Sequence, residues 1–220
     1  MSRFLGVVRS LWALCVACAA PAAAQQFSAD LVITAAGDPS AANMGKINVS
    51  GTKVRIQTFD LPDGFFLIDT DTVTAYFLQP ARRLFMDAKQ TSRLTQWLVP
   101  VDPDEPCARW QVMAGIAEVP VGPGKWHCTR METVSADGHP SFHYRVIGSK
   151  EAASDGWIDP FRRFLTKLSE ADGTEVALSD IQDGPQPDQL FQIPAGFRRF
   201  DPLKLIERIK QSDVWVERPN

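Results

Sequence analysis

The sequence predicts a mostly β protein of the α+β class, built on one antiparallel sheet with covering helices. Three observations support this fold class. Short segments alternate apolar and polar residues, and turn residues separate them at spacings of about ten positions. Two of these segments are apolar at nearly every position. Helical spacing of apolar side chains appears only in short stretches.

Residues 46–86 are predicted to form a meander of strands. Residues 46–49 and 53–57 alternate apolar and polar side chains on either side of the turn Ser50-Gly51. The turn Leu61-Pro62-Asp63-Gly64 precedes further predicted strands at 65–69, 73–79 and 84–86. Because short turns join these segments in sequence, we expect each strand to pair with the next.

Two of the predicted strands are apolar on both faces. They contain Phe65-Phe66-Leu67-Ile68 and Tyr76-Phe77-Leu78. An antiparallel strand with one solvated face alternates, so these strands need a cover on both sides. A second sheet, helices or a bound apolar ligand would each supply one.

The predicted helices lie at two places. Residues 92–98 place Leu94, Trp97 and Leu98 on one face, and Pro100 ends the helix. An acidic, proline-rich loop follows at 101–106. Near the end of the chain, Asp201 is a suitable N-cap and Pro202 a suitable first residue for a C-terminal amphipathic helix at 203–212.

The remaining segments predict more strands. They lie at 125–134 and 141–147, and then at 157–167 and 174–181 around the turn Ala171-Asp172-Gly173. Residues 190–193 are expected to be extended. Since no long linker divides the chain, residues 25–220 are expected to form a single domain.

Residues 1–24 have the features of a signal peptide. Arg3 and Arg9 precede an apolar run at 11–20 that is too short to span a bilayer. Ala22-Ala23-Ala24 offers a cleavage site before Gln25. The mature protein is therefore expected to be soluble in the periplasm of a bacterial envelope. The alternative is a lipoprotein signal, which would attach lipid to Cys15 or Cys18, but their flanking residues fit that pattern poorly.

Charge and motifs exclude several functions. The formal net charge is −3, and cleavage would remove two arginines and make it more negative. Such a surface disfavours binding to nucleic acid. Gly122-Pro123-Gly124-Lys125 lacks the remaining residues of a phosphate loop, and no other catalytic signature is present. We expect no catalytic residues and no cofactor.

Two cysteines, Cys107 and Cys128, lie beyond the predicted signal peptide. An even number of cysteines in an exported chain predicts a disulfide. The alternative is a metal site that includes His127. Zinc usually takes four ligands, and only His139 and His143 remain to complete such a site.

Several segments resemble the periplasmic lipoprotein-carrier (LolA/LolB-like) superfamily, in particular an uncharacterised exported branch. The matching residues are Gly45-Lys46, Gly51-Thr52-Lys53-Val54-Arg55, Ala75-Tyr76-Phe77-Leu78-Gln79-Pro80, Asp172-Gly173-Thr174, the run from Leu178 to Gln186 and, most specifically, Leu190-Phe191-Gln192-Ile193-Pro194-Ala195-Gly196-Phe197. The cysteine pair and the C-terminal helix depart from the carrier pattern.

The resemblance implies a curved half-barrel whose concave face is covered by helices, with an apolar cavity between. A soluble carrier for a lipid or lipoprotein acyl chain is the implied function. A non-catalytic module that binds an envelope protein or senses stress is the alternative on the same fold. The candidate residues of the cavity come from the two-sided strands and the first helix: Phe65, Phe66, Tyr76, Phe77, Leu94 and Trp97.

Overall fold

A computed structural model describes residues 25–36, 42–58, 63–88, 93–116, 126–136, 139–148, 153–201 and 204. The predicted signal peptide lies outside these residues, as does the predicted helix at 203–212 apart from residue 204. None of the helices in the described part of the chain is long and apolar enough to cross a membrane.

The described residues contain twelve strands and two α-helices. The strands are β1 (Gln26–Thr34), β2 (Ala42–Ser50), β3 (Lys53–Thr58), β4 (Phe65–Asp69), β5 (Thr74–Gln79), β6 (Leu84–Asp87), β7 (His127–Ala136), β8 (His139–Ile147), β9 (Ala153–Asp159), β10 (Phe164–Ser169), β11 (Glu175–Asp183) and β12 (Arg198–Arg199). The helices are α1 (Leu94–Trp97) and α2 (Pro106–Ile116), and short 3-10 turns lie at Pro80–Arg82 and Asp188–Phe191.

All twelve strands belong to one sheet, in the order β12-β6-β5-β4-β3-β2-β1-β11-β10-β9-β8-β7. Neighbours are antiparallel except β12, which pairs parallel with β6. The sheet is open and curved, so the predicted α+β half-barrel is confirmed. The first strand lies in the middle of the sheet, because β1 pairs with both β2 and β11.

Each face of the sheet has its own cover, as the two-sided strands predicted. Residues 93–116, here called the helical cover, bury Trp97, Trp110 and Met113 against the larger core, which includes Ile56 and Phe66. Burying side chains of this size stabilises the fold by roughly 1.5–3 kcal/mol each. The cover of the opposite face comes from residues 185–200, here called the C-terminal strap.

The C-terminal strap covers a smaller apolar cluster. Phe65, Leu67 and Leu78 are buried there, and Ile193 and Phe197 of the strap pack on them. The strap turns between these two residues, where the Phe197 N–H donates to the Pro194 carbonyl at 3.3 Å. Gly196 has a φ of +83°, the left-handed conformation that a type II turn requires at this position. The segment that most specifically resembles the carrier superfamily is therefore the one that seals the second face.

Two predictions of local structure were wrong, and two elements were missed. Residues 157–167 are not one strand, because a turn at 160–163 separates β9 from β10. The Asp159 carboxylate forms this turn by accepting the N–H groups of Phe161 and Arg162 at 2.8 and 3.0 Å. Residues 190–193 include the end of a 3-10 turn instead of being extended throughout. The sequence interpretation also assigned no helix to Pro106–Ile116 and no strand to Gln26–Thr34.

Candidate ligand site under the helical cover

Three tryptophans meet where the helical cover contacts the sheet. The ring of Trp97 lies 5.0 Å from that of Trp110 and 5.4 Å from that of Trp126, measured between centroids. Trp97 ends α1, Trp110 lies in α2, and Trp126 directly precedes β7. Gly156 of β9 leaves room for this cluster, since a Cβ there would lie 3.5 Å from the Trp110 ring and 3.1 Å from Leu165.

The indole N–H groups of the cluster differ in their partners. Trp110 Nε1 donates to the Trp97 carbonyl at 3.2 Å. The Nε1 atoms of Trp97 and Trp126 are buried, and neither has an acceptor among the described residues. Unpaired buried donors are uncommon because burial without a partner costs free energy.

One disulfide and a few polar contacts attach the helical cover to the sheet. The predicted disulfide is present: Cys107 near the start of α2 is bonded to Cys128 of β7, with 5.7 Å between their Cα atoms. Because Cys128 is part of this bond, it is not available as a ligand for the alternative metal site with His127. In the described part of the chain, no cluster of three or more His, Cys, Asp or Glu side chains could hold a metal ion.

The polar contacts lie at separate points of the cover. The Val101 N–H donates to the Arg163 carbonyl at 2.9 Å, and Arg109 donates to the Thr70 carbonyl at 2.8 Å. The Tyr144 hydroxyl donates to the Pro103 carbonyl at 2.6 Å. Burial raises the pKa of Tyr144 above its ordinary value. Among the described residues, three ion pairs add to these contacts: Arg93 with Glu170 at 2.7 Å, Asp102 with Arg163 at 3.7 Å and Asp104 with Arg130 at 3.7 Å. The contact of the cover with the large core is made by apolar side chains.

The six predicted cavity residues divide between the two faces of the sheet. Phe66 and Trp97 are buried in the core under the helical cover, and Phe77 and Leu94 pack against it. The Phe66 and Phe77 rings are 5.1 Å apart. Phe65 and Tyr76 belong to the cluster under the C-terminal strap instead, because neighbouring residues of a strand point to opposite faces.

The residues that the sequence interpretation left out of the site come mainly from α2. Trp110 is fully buried and Met113 is 2% exposed. Together with Cys107 and Ala114 they follow helical spacing, so the pattern was present in the sequence. Val112 makes the apolar face harder to recognise in the sequence, because this apolar residue is 47% exposed on the other side of the helix.

A second surface lies at the end of the sheet that carries the β9–β10 turn. Phe161 in this turn is 81% exposed. It borders an open cleft of about 690 Å³ that is also lined by Phe27 and Pro185. Arg162 fixes the turn by pairing with both Asp159 and Asp183. The hydrogen bonds that Arg162 donates to Asp183 above all, and to Asp159, raise the pKa of its guanidinium.

Solved structures share the fold of this chain. PNGF-II superimposes with a TM-score of 0.53 at 8% sequence identity over 86% of this chain and 34% of PNGF-II. The chain thus spans about a third of the length of that protein. No protein-family model matches the sequence, and neither does any curated protein.

Similar structures also include a LolA superfamily protein from Nitrosomonas europaea, the superfamily that the sequence resembles. Its TM-score is 0.38 at 13% identity, over 77% of this chain and 90% of that protein. MucB has a TM-score of 0.41 at 15% identity, over 79% of this chain and 59% of MucB. At these identities the similarity is one of fold alone.

Proposed function

We propose that this chain is a non-catalytic binding protein of the bacterial periplasm that holds a lipid or acyl chain between its sheet and the helical cover. The observation that carries the proposal is how the cover is attached. One covalent link joins it to β7, and most of its remaining contact with the sheet is apolar packing. A cover of this kind separates from the sheet without breaking the strand pairing.

The cover is suited to movement because its first helix is short. α1 has four residues, fewer than an isolated helix needs for stability, so it depends on its contacts with α2 and the sheet. When the cover lifts, apolar surface on both sides becomes exposed. An acyl chain that enters would bury this surface again, at about 25 cal/mol for each Å² removed from water. Phe66, Phe77, Leu94 and Trp97 are the proposed lining residues.

The ligand class follows from the resemblance of the sequence to the lipoprotein-carrier superfamily. Export follows from the features of residues 1–24, and we propose cleavage after Ala24 and a single domain at 25–220. The acidic net charge disfavours nucleic acid as a partner.

Native mass spectrometry of the protein purified from the periplasm tests the proposal. We expect a fraction of molecules to carry the added mass of a lipid, and the delipidated protein to bind a fluorescent long-chain fatty acid. Gln192→Ala, at an exposed position on the opposite face of the sheet, is the matched control and should bind the probe like the wild type. Absence of both the added mass and probe binding would exclude the proposal.

The alternative function, binding to an envelope protein, is favoured by one observation. Phe161 is exposed beside the cleft lined by Phe27 and Pro185, and aromatic side chains are enriched in protein–protein interfaces. A photo-crosslinking residue at position 161 should then capture one specific protein in the envelope. Phe161→Ser should abolish that function while leaving fatty-acid binding unchanged.

A further inference from the structure

We propose that the indole N–H groups of Trp97 and Trp126 form the polar end of the ligand site and donate hydrogen bonds to a carbonyl oxygen of the bound acyl compound. The inference rests on the proposed function and adds the chemistry by which the ligand is recognised. Acid, ester and amide ligands all present such an oxygen.

The burial of these two donors carries the inference. Trp97 is 4% exposed, and the Nε1 atoms of both residues are buried without an acceptor among the described residues. Their rings are 5.4 Å apart. An indole N–H is neutral and can only donate. The pair therefore suits a ligand oxygen that accepts hydrogen bonds, whether a carbonyl or a carboxylate, and does not suit a ligand group that donates or a cation.

The third tryptophan shows that an indole N–H in this cluster can have an acceptor within the protein. Trp110 is more deeply buried than Trp97, yet its N–H has an acceptor in the Trp97 carbonyl. A phenylalanine at position 97 or 126 would fill apolar space without leaving a donor unpaired. An unpaired buried donor raises the free energy of the folded state. A ligand oxygen bound at this position would remove that cost by accepting hydrogen bonds from the two donors.

The position of the donors also orients the ligand. Trp126 lies two residues before Cys128, and Trp97 ends the helix that packs beside α2. The disulfide between Cys107 and Cys128 therefore holds the cover to the sheet close to the donors. Phe66 and Phe77 belong to the apolar core that extends from the tryptophans along the sheet, which is where the acyl chain would lie.

Probes that differ only in the acceptor oxygen test the inference. We would titrate the delipidated protein with a long-chain fatty-acid methyl ester, the free acid and the alkane of equal length. In Trp97→Phe/Trp126→Phe, we expect the affinity for the ester or the acid to fall by about 10-fold or more, since each hydrogen bond contributes roughly 0.5–1.5 kcal/mol. The affinity for the alkane should stay within about twofold, because the aromatic packing is kept.

Stability of the ligand-free protein provides a second readout. Trp97→Phe and Trp126→Phe each lose part of a buried ring but also remove an unpaired donor, so each should lose less stability than Trp110→Phe, which loses a similar volume and a hydrogen bond. Trp110→Phe is the matched control: it loses an existing hydrogen bond and should be less stable, yet keep the wild-type ratio of ester to alkane affinity.

The failures of the two proposals are distinguishable. If the wild type binds none of the probes, the proposed function fails and this inference fails with it. If the wild type binds them and the double variant keeps the wild-type ratios of ester and acid affinity to alkane affinity, the inference alone is wrong.

Discussion

Glu170 illustrates how single residues tie the helical cover to the sheet. It follows β10, and its carboxylate lies 2.7 Å from the guanidinium of Arg93, directly before α1. The Glu170 side chain is only 11% exposed. Burial raises the pKa of its carboxyl above the usual value, while the charge of Arg93 acts in the opposite direction. At neutral pH the ion pair therefore holds the beginning of the cover against a cost of desolvation.

The raised pKa predicts a specific pH dependence for Glu170→Gln. A carboxyl whose pKa is higher in the folded state contributes stability below its unfolded pKa of about 4.5, and this contribution is lost as the pH rises through the folded pKa. The variant should therefore gain stability relative to the wild type as the pH rises above about 4.5. Urea denaturation between pH 4 and pH 7 measures the difference.

Glu175→Gln, at a more exposed carboxyl across the β10–β11 turn, is the control for general charge effects. A stability difference between Glu170→Gln and the wild type that does not change with pH would contradict the prediction.

Substitution of Trp97 distinguishes a movable cover from a filled core. Trp97→Ala removes a large side chain that contacts both Trp110 and Trp126. If the cover moves, uptake of a fluorescent fatty acid should change more than folding does. In a filled core the same substitution would only destabilise the protein, by about 3–5 kcal/mol, and the wild type would bind no probe. Binding titration and denaturation of both proteins distinguish the two results.

Among the elements, α2 is the helix that was not predicted from the sequence. It begins at Pro106, after the acidic residues Asp104 and Glu105, and buries one side. The start signal was interpreted as part of a loop because proline and acidic residues also occur in loops. Its disulfide was predictable from composition, whereas its packing on Trp97 depends on tertiary structure.

The disulfide predicts the response of this element to reduction. Cys107 and Cys128 are 21 residues apart in sequence. Loss of the bond in Cys107→Ser/Cys128→Ser should lower the free energy of unfolding by about 3 kcal/mol, because the unfolded chain regains freedom. In the native wild type, thiol labelling should find neither residue reactive, and Cys107→Ser should expose one thiol. Labelling of both cysteines without denaturant would contradict the bond.

The C-terminal strap is the second element with a measurable role. Besides its apolar contacts, Arg55 lies 3.5 Å from the ring centroid of Phe65 and donates to the Leu190 carbonyl of the strap. Burial lowers the pKa of this guanidinium. The strap then ends beside β6, where the Phe200 N–H donates to the Phe85 carbonyl at 2.7 Å.

Ile193→Ala/Phe197→Ala should weaken this seal. Since both side chains are only partly buried, we expect the unfolding free energy to fall by about 2–4 kcal/mol. Binding of a hydrophobic dye should increase, because Phe65, Leu67 and Leu78 lose their cover. Gln192→Ala, at an exposed position between the two, should change neither quantity. An unchanged dye signal in the double variant would contradict the role of the strap.

For the whole molecule, the sequence was most informative where partners are local. Strand β3 was predicted from alternation, and β4 and β5 from the short turns that bound them. The need for two covers was predicted because β4 and β5 are apolar on both faces. The central position of β1 was not predictable in this way. Phe27, Ala29 and Leu31 alternate with polar residues, but one partner of the strand, β11, comes near the end of the chain. The division of Phe65 and Phe66 between two sites likewise depends on a strap that arrives from residues 185–200.

Export predicts the mature N-terminus. The mass of the protein from the periplasm should correspond to a chain that begins at Gln25. This residue already belongs to the fold, because its carbonyl accepts the Gly51 N–H at 2.8 Å. Ala24→Asp should block cleavage and leave the precursor, whereas Ala20→Ser should not. A mature chain that begins at a lipid-modified Cys18 would contradict the prediction.

The central position of β1 also imposes an order on folding. A chain that emerges from a ribosome or an export channel releases β1 first, and β2 can pair with one of its edges at once. The other edge must wait for β11. Close to this junction, the Gln186 N–H donates to the Gln26 side chain across 160 residues of sequence. Contacts of such separation form slowly, so a nascent chain carries an open strand edge beside Phe27 and Leu31 until almost all of it has been released. Such edges promote aggregation, so the release and pairing of β11 is the step that protects the edge of β1.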